Sequence, residues 1–449
     1  MPERLFGTNG VRGIVNMDMT SDLALQMGRA IGSTIRGTMA IATDTRMSAD
    51  MIKTAVSSGL MSVGVNVIDL GVLPTPAIQF YIKTHDNVKG GVMITASHNP
   101  PQFNGIKCIS SDGTEASREE EERIEARYSE KIPCAPWNSI GKMCRVGGAG
   151  EEYVDAVISK VDADVIRKAG LKVCLDCANG AAYETSPLLL KKLNVEVVAI
   201  NCDPHGEFSG HPSEPTEENL TDLLHLTRST ESDLGIAHDG DADRCVFVTG
   251  DGEYVSGDKS LALISKYILS KKKRLVVTPV SSSSLIEEVV NGSGGEILYT
   301  AVGSPIVARK MIETGAVFGG EENGGLIFPE MQYCRDGGMA FAMMLECIVK
   351  GGPLKDQTSG LPLYYTVKTK IECPDDMKKH VLEHLIASSR GARIDRTDGI
   401  KIIFDDGWVL ARPSGTEPIF RIYSESRSEE VAKSMADRYK ALAMGCLKH

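Results

Sequence analysis

The chain has 449 residues, 42% of them apolar, with 60 acidic against 49 basic side chains and a formal net charge of −11. At roughly 100–200 residues per domain this implies about two to four domains, each with enough apolar residues for a core. The acid excess excludes a general nucleic-acid binder, which needs a basic stripe, yet leaves room for small anions gripped by local Arg and Lys.

No apolar run of about 18 residues occurs, so no transmembrane helix is expected. The opening stretch MPERLFGTNGVRG lacks the apolar centre of a signal peptide. The expectation is a soluble, cytoplasmic protein with no nucleic-acid or membrane partner, either a monomer or a homodimer.

In chain order, LALQMGRAIGSTI has helical spacing, MAIATD reads as a strand and MIKTAVSSGLMSVG as a helix, followed by the strands VNVIDLG and GGVMITA. The alternation restarts after the Gly-rich stretch 147–150, with LKVCLDCANG, VEVVAIN and DLGIAHDGD as strand-to-loop units. It restarts again near Tyr254 with SLALISKYILS, RLVVTPV, SLIEEVV and AVFGGEENGG. The run SSSS at 281–284 lies between strand and helix and reads as a helix cap. From about Leu363 the texture changes to strands plus helices. The expected architecture is α/β: three similar domains with mixed sheets (1–150, 151–252 and 253–362), then a smaller C-terminal α+β domain (363–449).

Two side-chain groups read as structural. The 11 cysteines are odd in number and scattered. Cys174 and Cys177 form a lone C-x-x-C in an apolar strand, without the second pair of a four-cysteine zinc site. His380 and His384 lie four apart on a helical segment with no ligand cluster nearby, and read as surface residues.

Four loops carry candidate chemistry. In ITASHNPPQFNGIK (94–107) an apolar strand delivers Ser97 into a loop with a proline pair and an Asn-Gly pair. Proline fixes φ and Asn-Gly permits a left-handed turn. The loop reads either as the rigid seat of a nucleophile or as an ordinary connection to a helix. In HDGDADRC (238–245), Asp239, Asp241 and Asp243 alternate between apolar stretches. Three free carboxylates there are costly, so a hard cation such as Mg2+ is expected between them, with a solvated acidic turn as the alternative. In FGGEENGG (318–325), Glu321 and Asn323 offer acceptors and donors to a polyol; a plain surface loop fits this stretch equally. In ARPSGTEP (411–418), Arg412, Ser414, Gly415 and Thr416 read as a compact anion cradle, with a plain turn as the alternative. Near the start, Arg12 lies between glycines in GTNGVRG and reads either as a phosphate contact or as a turn residue. Together the loops fit phosphoryl transfer on a phosphorylated sugar, where catalysis is positioning plus charge stabilisation.

With these motifs in hand, the sequence resembles the α-D-phosphohexomutase family. TASHNP with its downstream NGIK, DGDADR, GEENGG and RPSGTEP occur in the family's order across almost the whole chain, and GTNGVRG and TAVGSPIVARKM resemble further family stretches. The resemblance implies a four-domain, heart-shaped enzyme around a central cleft. It implies that Ser97 is a phosphoserine and that Asp239, Asp241 and Asp243, with the serine phosphate, bind Mg2+. By the same resemblance, Arg12 and Lys107 flank the reacting phosphoryl group, with His98 beside the serine in a loop-structuring role. Arg244 lies near phosphate and sugar, Glu321 and Asn323 read sugar hydroxyls, and Arg412, Ser414, Gly415 and Thr416 hold the other phosphate. A sugar 1,6-bisphosphate is the implied intermediate and activator.

Two positions depart from common family patterns: Gly325 where many relatives have histidine, and Glu322-Asn323 where many bacterial aminosugar members have Gln-Ser. GTNGVRG, GEENGG and SEPTEENL are most similar to archaeal members grouped as phosphoglucosamine mutases. The expected reaction is therefore glucosamine 6-phosphate to glucosamine 1-phosphate. Phosphoglucomutase/phosphomannomutase activity is the alternative within the family, and a non-catalytic sugar-phosphate binder the alternative from another class.

Overall fold

The structure is a computed structural model and describes residues 5–7, 10–272, 274–389, 391–414 and 418–447. The chain divides into two compact units, one of residues 1–260 and 323–359, the other of residues 261–322 and 360–449.

The first unit opens with β1 (Val11–Ile14), α1 (Ser21–Thr34), β2 (Thr38–Thr43), α2 (Ala49–Ser62), β3 (Asn66–Val72), α3 (Thr75–Thr84), β4 (Val88–Ile94), β5 (Phe103–Ser110), α4 (Arg118–Tyr128) and β6 (Met143–Arg145). The strands form one mixed sheet in the order β1-β5-β4-β2-β3-β6. Its central strands β2 and β4 pair in parallel. Met39 to Ala42 and Val92 to Ile94 are buried, so these strands read as unbroken apolar runs rather than as alternation. Local chemistry sets the helix starts. Thr20 caps α1 by accepting the Leu23 N–H at 3.1 Å. Ser117 and Glu120 form a reciprocal capping box on α4.

The same unit continues with α5 (Ala149–Ile158), α6 (Ala163–Ala169), β7 (Lys172–Asp176), α7 (Thr185–Lys192), β8 (Glu196–Ile200), α8 (Thr221–Ser229), β9 (Leu234–His238), β10 (Cys245–Thr249) and β11 (Tyr254–Val255). The second mixed sheet runs β11-β10-β9-β7-β8. Cys174 is buried on β7, and Cys177, just beyond it, has the Cys202 Sγ 3.2 Å away; among the described residues neither belongs to a metal-ligating group. The segment 323–359 adds the helix Gly337–Gly351, whose face from Met339 to Ile348 is buried.

In the second unit, strand Leu275–Pro279 pairs in parallel with Glu296–Thr300 and with Phe318–Gly320. Ser283 caps helix Ser284–Gly292 by accepting the Leu285 N–H, so the serine run is a cap. The C-terminal part is a five-stranded antiparallel sheet carrying helices Lys378–Ser388 and Glu429–Cys446 over an apolar core that includes Ile400, Val409, Phe420 and Tyr439. His380 and His384 are exposed on the first of these helices. The chain thus has the expected α/β architecture of three mixed-sheet domains and a C-terminal α+β domain.

Glu121 on α4 gives the fold a pH dependence. Burial, then repulsion from Glu125, Glu115 and Glu122, outweighs Arg118 and pushes its carboxyl up to about 8 from an ordinary 4.5. The folded state therefore holds a proton that the unfolded state releases, and stability falls as pH rises from about 4.5 to about 8. E121Q should match the parent near pH 5 and melt at a higher temperature near pH 9, as thermal unfolding followed by circular dichroism would show.

Candidate active site

The serine loop leaves the carboxyl end of β4, where open α/β sheets gather ligands. Ser97 is buried and has φ 54, a left-handed conformation that costs a non-glycine residue about 1–3 kcal/mol. Its N–H donates to Thr95 Oγ1 at 2.8 Å, and that hydroxyl donates to Asp44 Oδ2 at 2.6 Å. Beneath lies Arg46, which the sequence reading did not single out. Its guanidinium donates to the carbonyl oxygens of Ser97 (2.9 Å), Asn99 (2.6 Å), Pro100 (2.7 Å) and Phe103 (2.9 Å), and to Asp44 Oδ2 at 3.0 Å. The Phe208 ring faces it at 4.8 Å.

The Asn-Gly pair does not turn the chain. Asn104 and Gly105 lie inside β5, and Gly105 pairs with Arg12 on β1. A Cβ at Gly105 would stand 2.7 Å from the carbonyl oxygens of both Thr95 and Val11, so glycine serves close backbone approach. The left-handed residue is the serine itself.

The acidic loop leaves the carboxyl end of β9 and turns through Ala242, at φ 55, into β10. Asp239, Asp241 and Asp243 are buried, and one ligand oxygen from each lies within 4.8 Å of the others. The Ser97 hydroxyl donates to Asp239 Oδ2 at 2.8 Å, and the Arg244 N–H to Asp239 Oδ1 at 3.1 Å. Asp241 Oδ2 accepts from Lys107 Nζ and from Thr75 Oγ1, both at 2.6 Å. Asp243 Oδ2 accepts from an Arg335 N–H at 2.6 Å, with Lys107 Nζ at 3.4 Å. Asp241 Oδ1 and Asp243 Oδ1 are buried with no hydrogen-bond partner. Orphaned carboxylate oxygens at an all-oxygen cluster fit a hard cation, so the residues present suit Mg2+.

The charges respond to this geometry. Burial and the neighbouring Asp241 and Asp243 hold the Asp239 carboxyl well above its ordinary value, against the pull of Arg244 and Ser97. Burial alone would raise Asp241, but Lys107 and Thr75 bring it below the usual carboxylate range. Burial alone would lower Lys107, but Asp241 and Asp243 raise it, so its ammonium is fixed. Burial, then Arg244 and Arg12, pushes His98 down to about 2, leaving its ring neutral. Its Nδ1 is 3.5 Å from Ser97 Oγ. His98 is therefore not an imidazolium acid. His238 is also neutral, pushed by burial to about 4; its Nδ1–H donates to the Arg244 carbonyl at 3.0 Å and its Nε2 accepts from Ser186 at 2.9 Å.

Arg12, on β1, donates to Asn99 Oδ1 at 2.7 Å and to the Ala96 carbonyl at 3.2 Å, at the edge of the serine loop. Arg244 lies 3.9 Å from Asp239 and 3.6 Å from Glu214. Asn323 Oδ1 accepts the Gly325 N–H at 3.1 Å, and the Gly324 carbonyl accepts the Cys245 N–H, which ties this loop to the start of β10. The first unit thus brings together Arg12, Ser97, His98, Lys107, the three aspartates and Arg244.

The remaining expected site residues belong to the second unit. Glu321 is buried just after strand Phe318–Gly320. Glu322 accepts from Ser281 at 3.2 Å and has Lys368 3.6 Å away. Arg412 pairs with Asp398 at 3.0 Å. The Ser414 N–H donates to the Ile419 carbonyl, and the Ser414 carbonyl accepts from Lys378 at 2.6 Å. Gly415 and Thr416 lie outside the described residues.

Sequence reasoning missed Arg46, Thr75 and Arg335. Each left a faint signal. Arg46 follows the apolar strand MAIAT in a D-x-R stretch, Thr75 stands between two prolines at a helix start, and Arg335 precedes a helix-capping aspartate. The carbonyls that Arg46 holds and the aspartates that Thr75 and Arg335 hold are remote in sequence, so none of these patterns names them.

Set beside known proteins, the chain matches all four domains described for phosphoglucomutase/phosphomannomutase. These are alpha/beta/alpha domain I at residues 3–133, domain II at 151–252, domain III at 256–364 and the C-terminal domain at 369–442. It is 42% identical over 96% of both chains to a protein of Thermococcus kodakarensis named "Phosphoglucomutase/phosphomannomutase". It is 41% identical over 99% of both chains to one of Methanopyrus kandleri named "Probable phosphoglucosamine mutase". A crystal structure of a phosphoglucomutase/phosphomannomutase family protein from Burkholderia thailandensis superposes with a TM-score of 0.89 at 26% identity, covering 99% of this chain and 98% of that one. The chain belongs to the phosphoglucomutase/phosphomannomutase family. It is an enzyme of the phosphohexomutase type, an isomerase that moves a phosphoryl group within a sugar phosphate.

The Arg46 network predicts a cost. R46A strips four carbonyls and a buried carboxylate of their donor, and should lose about 3–5 kcal/mol in urea unfolding of the full chain. R46K, with three donors in place of a five-donor fork, should lose less.

Proposed function

We propose that the enzyme interconverts glucosamine 6-phosphate and glucosamine 1-phosphate through phosphorylated Ser97 and a sugar 1,6-bisphosphate. The observation that carries the mechanism is the Ser97 hydroxyl. It is held left-handed and donates to one carboxylate of a triad whose other two members keep buried, unbonded oxygens.

Phosphoserine 97 gives its phosphoryl group to the free hydroxyl of the bound sugar monophosphate, breaking the serine O–P bond and forming a sugar O–P bond, while the proton of that hydroxyl ends on Ser97 Oγ; the return transfer runs the same exchange in reverse. The bisphosphate then presents its other phosphate, and the return of that phosphoryl group to Ser97 Oγ releases the isomerised monophosphate. Mg2+ held by Asp239, Asp241, Asp243 and the serine phosphate supplies positive charge to the transferring oxygens when bound. Lys107, paired with Asp241 and Asp243, places positive charge beside the reacting phosphoryl group. Arg12 contacts the reacting phosphoryl group from the serine-loop edge. Arg46 and Thr95 hold the loop in one geometry for both transfers. Arg412 and Ser414, with Gly415 and Thr416, hold the phosphate that does not react. Arg244, Glu321 and Asn323 read the sugar.

The substrate assignment draws support from the similarity to the Methanopyrus kandleri protein and from the acids of the sugar loop. The name of the Thermococcus kodakarensis relative favours a second reading, a general phosphoglucomutase/phosphomannomutase. By the family resemblance Glu321 stands at a sugar contact, and we assign recognition of the amino group to it; Glu322 has Lys368 3.6 Å away.

Mutase assays with Mg2+ and a trace of sugar bisphosphate would compare glucosamine 6-phosphate, glucose 1-phosphate and mannose 1-phosphate by kcat/KM. Preference for glucosamine is expected, with S97A inactive and unable to retain a phosphoryl group by intact mass. Full activity in S97A would overturn the mechanism, and equal turnover of the hydroxyl sugars would favour the second reading. E321Q should cut the preference for glucosamine roughly 10-fold or more, the worth of a hydrogen bond to a charged group, while E322Q shifts it less.

A further inference from the structure

Asp241 and Asp243 share a pattern that the triad alone does not require. In each, Oδ2 is occupied by a cation at 2.6 Å, Lys107 on Asp241 and Arg335 on Asp243, while Oδ1 is buried without a hydrogen-bond partner. Asp239 differs: its two oxygens accept from uncharged donors, the Ser97 hydroxyl and the Arg244 N–H. Arg335 is not loosely placed. It forms an antiparallel bridge with Ile327, and the next residue, Asp336, caps helix Gly337–Gly351 by accepting the Met339 N–H at 2.9 Å. A Cβ at Gly325 would collide with Arg335 Cδ, so glycine there clears the path of the side chain to Asp243.

We infer that Lys107 and Arg335 confine Asp241 and Asp243 to one metal-facing oxygen each, so that this site selects Mg2+ against Ca2+. Mg2+ takes six ligands in near-ideal octahedral geometry, whereas Ca2+ takes six to eight oxygens and uses bidentate carboxylates. To chelate Ca2+ with both oxygens, Asp243 must break its bond to Arg335 and leave a buried guanidinium without that partner, which is costly. Arg335 is thus a positioning residue that acts through Asp243. The inference rests on the reading of the triad as a metal site.

Isothermal titration of the full-length, dephosphorylated protein with MgCl2 and with CaCl2 tests it, using the ratio of the two dissociation constants. Both ions carry the same charge, so losing the charge of Arg335 shifts both affinities alike and cancels in the ratio. The parent should prefer Mg2+. R335M should move the ratio toward Ca2+ by about tenfold, the scale on which residues behind metal ligands act. R335K, which keeps a cation for Oδ2, should restore most of it. R335Q should move it in the same direction as R335M and serves if R335M does not fold. A folded R335M or R335Q with the parental ratio would overturn the inference while leaving the metal site standing. A parent that binds neither ion, or D241N and D243N variants that bind as the parent does, would overturn the metal reading itself.

Discussion

The serine loop depends on one buried guanidinium. A loop that ends a central strand and holds its serine left-handed has several carbonyls facing inward, and unpaired carbonyls in an apolar interior are costly. Arg46 satisfies four of them and is itself neutralised by Asp44, with no exposed surface on either side chain. The strain at Ser97 persists because the surroundings over-determine it. Thr95 adds the second tie, from the serine N–H to the same aspartate. The loop is thereby fixed before any ligand arrives, as phosphoryl transfer by positioning demands.

The acidic triad has a complementary constraint. Three buried carboxylates repel, and the first unit answers with cations from four different segments: Arg12 on β1, Lys107 on β5, Arg244 after the triad and Arg335 before helix Gly337–Gly351. These positive side chains gather at one place despite the chain's net charge of −11. Global charge therefore says little about this protein's ligand; the local balance decides it. The close approach of the two loops is built into the backbone, since a Cβ at Gly240 would stand 2.6 Å from the Ser97 carbonyl oxygen.

Much of the fold was legible because its signals are local. Apolar runs and helical spacing marked β2, β3, β4, β7, β8, β9, α1 and α2, whereas β1, β5, β10 and α3 to α8 carried no reading of their own. The acidic triad was legible because costly carboxylates between apolar runs need a partner. The Asn-Gly pair misled, because its strong turn preference yielded to the pairing of β5 with β1, where the glycine is needed for closeness. Nothing beside Glu322 in the sequence points to Lys368, which reaches it from a strand distant in sequence.

The sequence by itself determined the main apolar strands, the serine and acidic loops that follow them, and the family to which the chain belongs, since each is written within a few consecutive residues. Tertiary structure alone decided which cation sits on which carboxylate oxygen, that Arg46 underlies the serine, and that Ser97 rather than Gly105 takes the left-handed turn. The reason is physical. Burial and pairing join residues separated by tens to hundreds of positions, and a charge whose partner lies that far along the chain carries no mark of it in its neighbours.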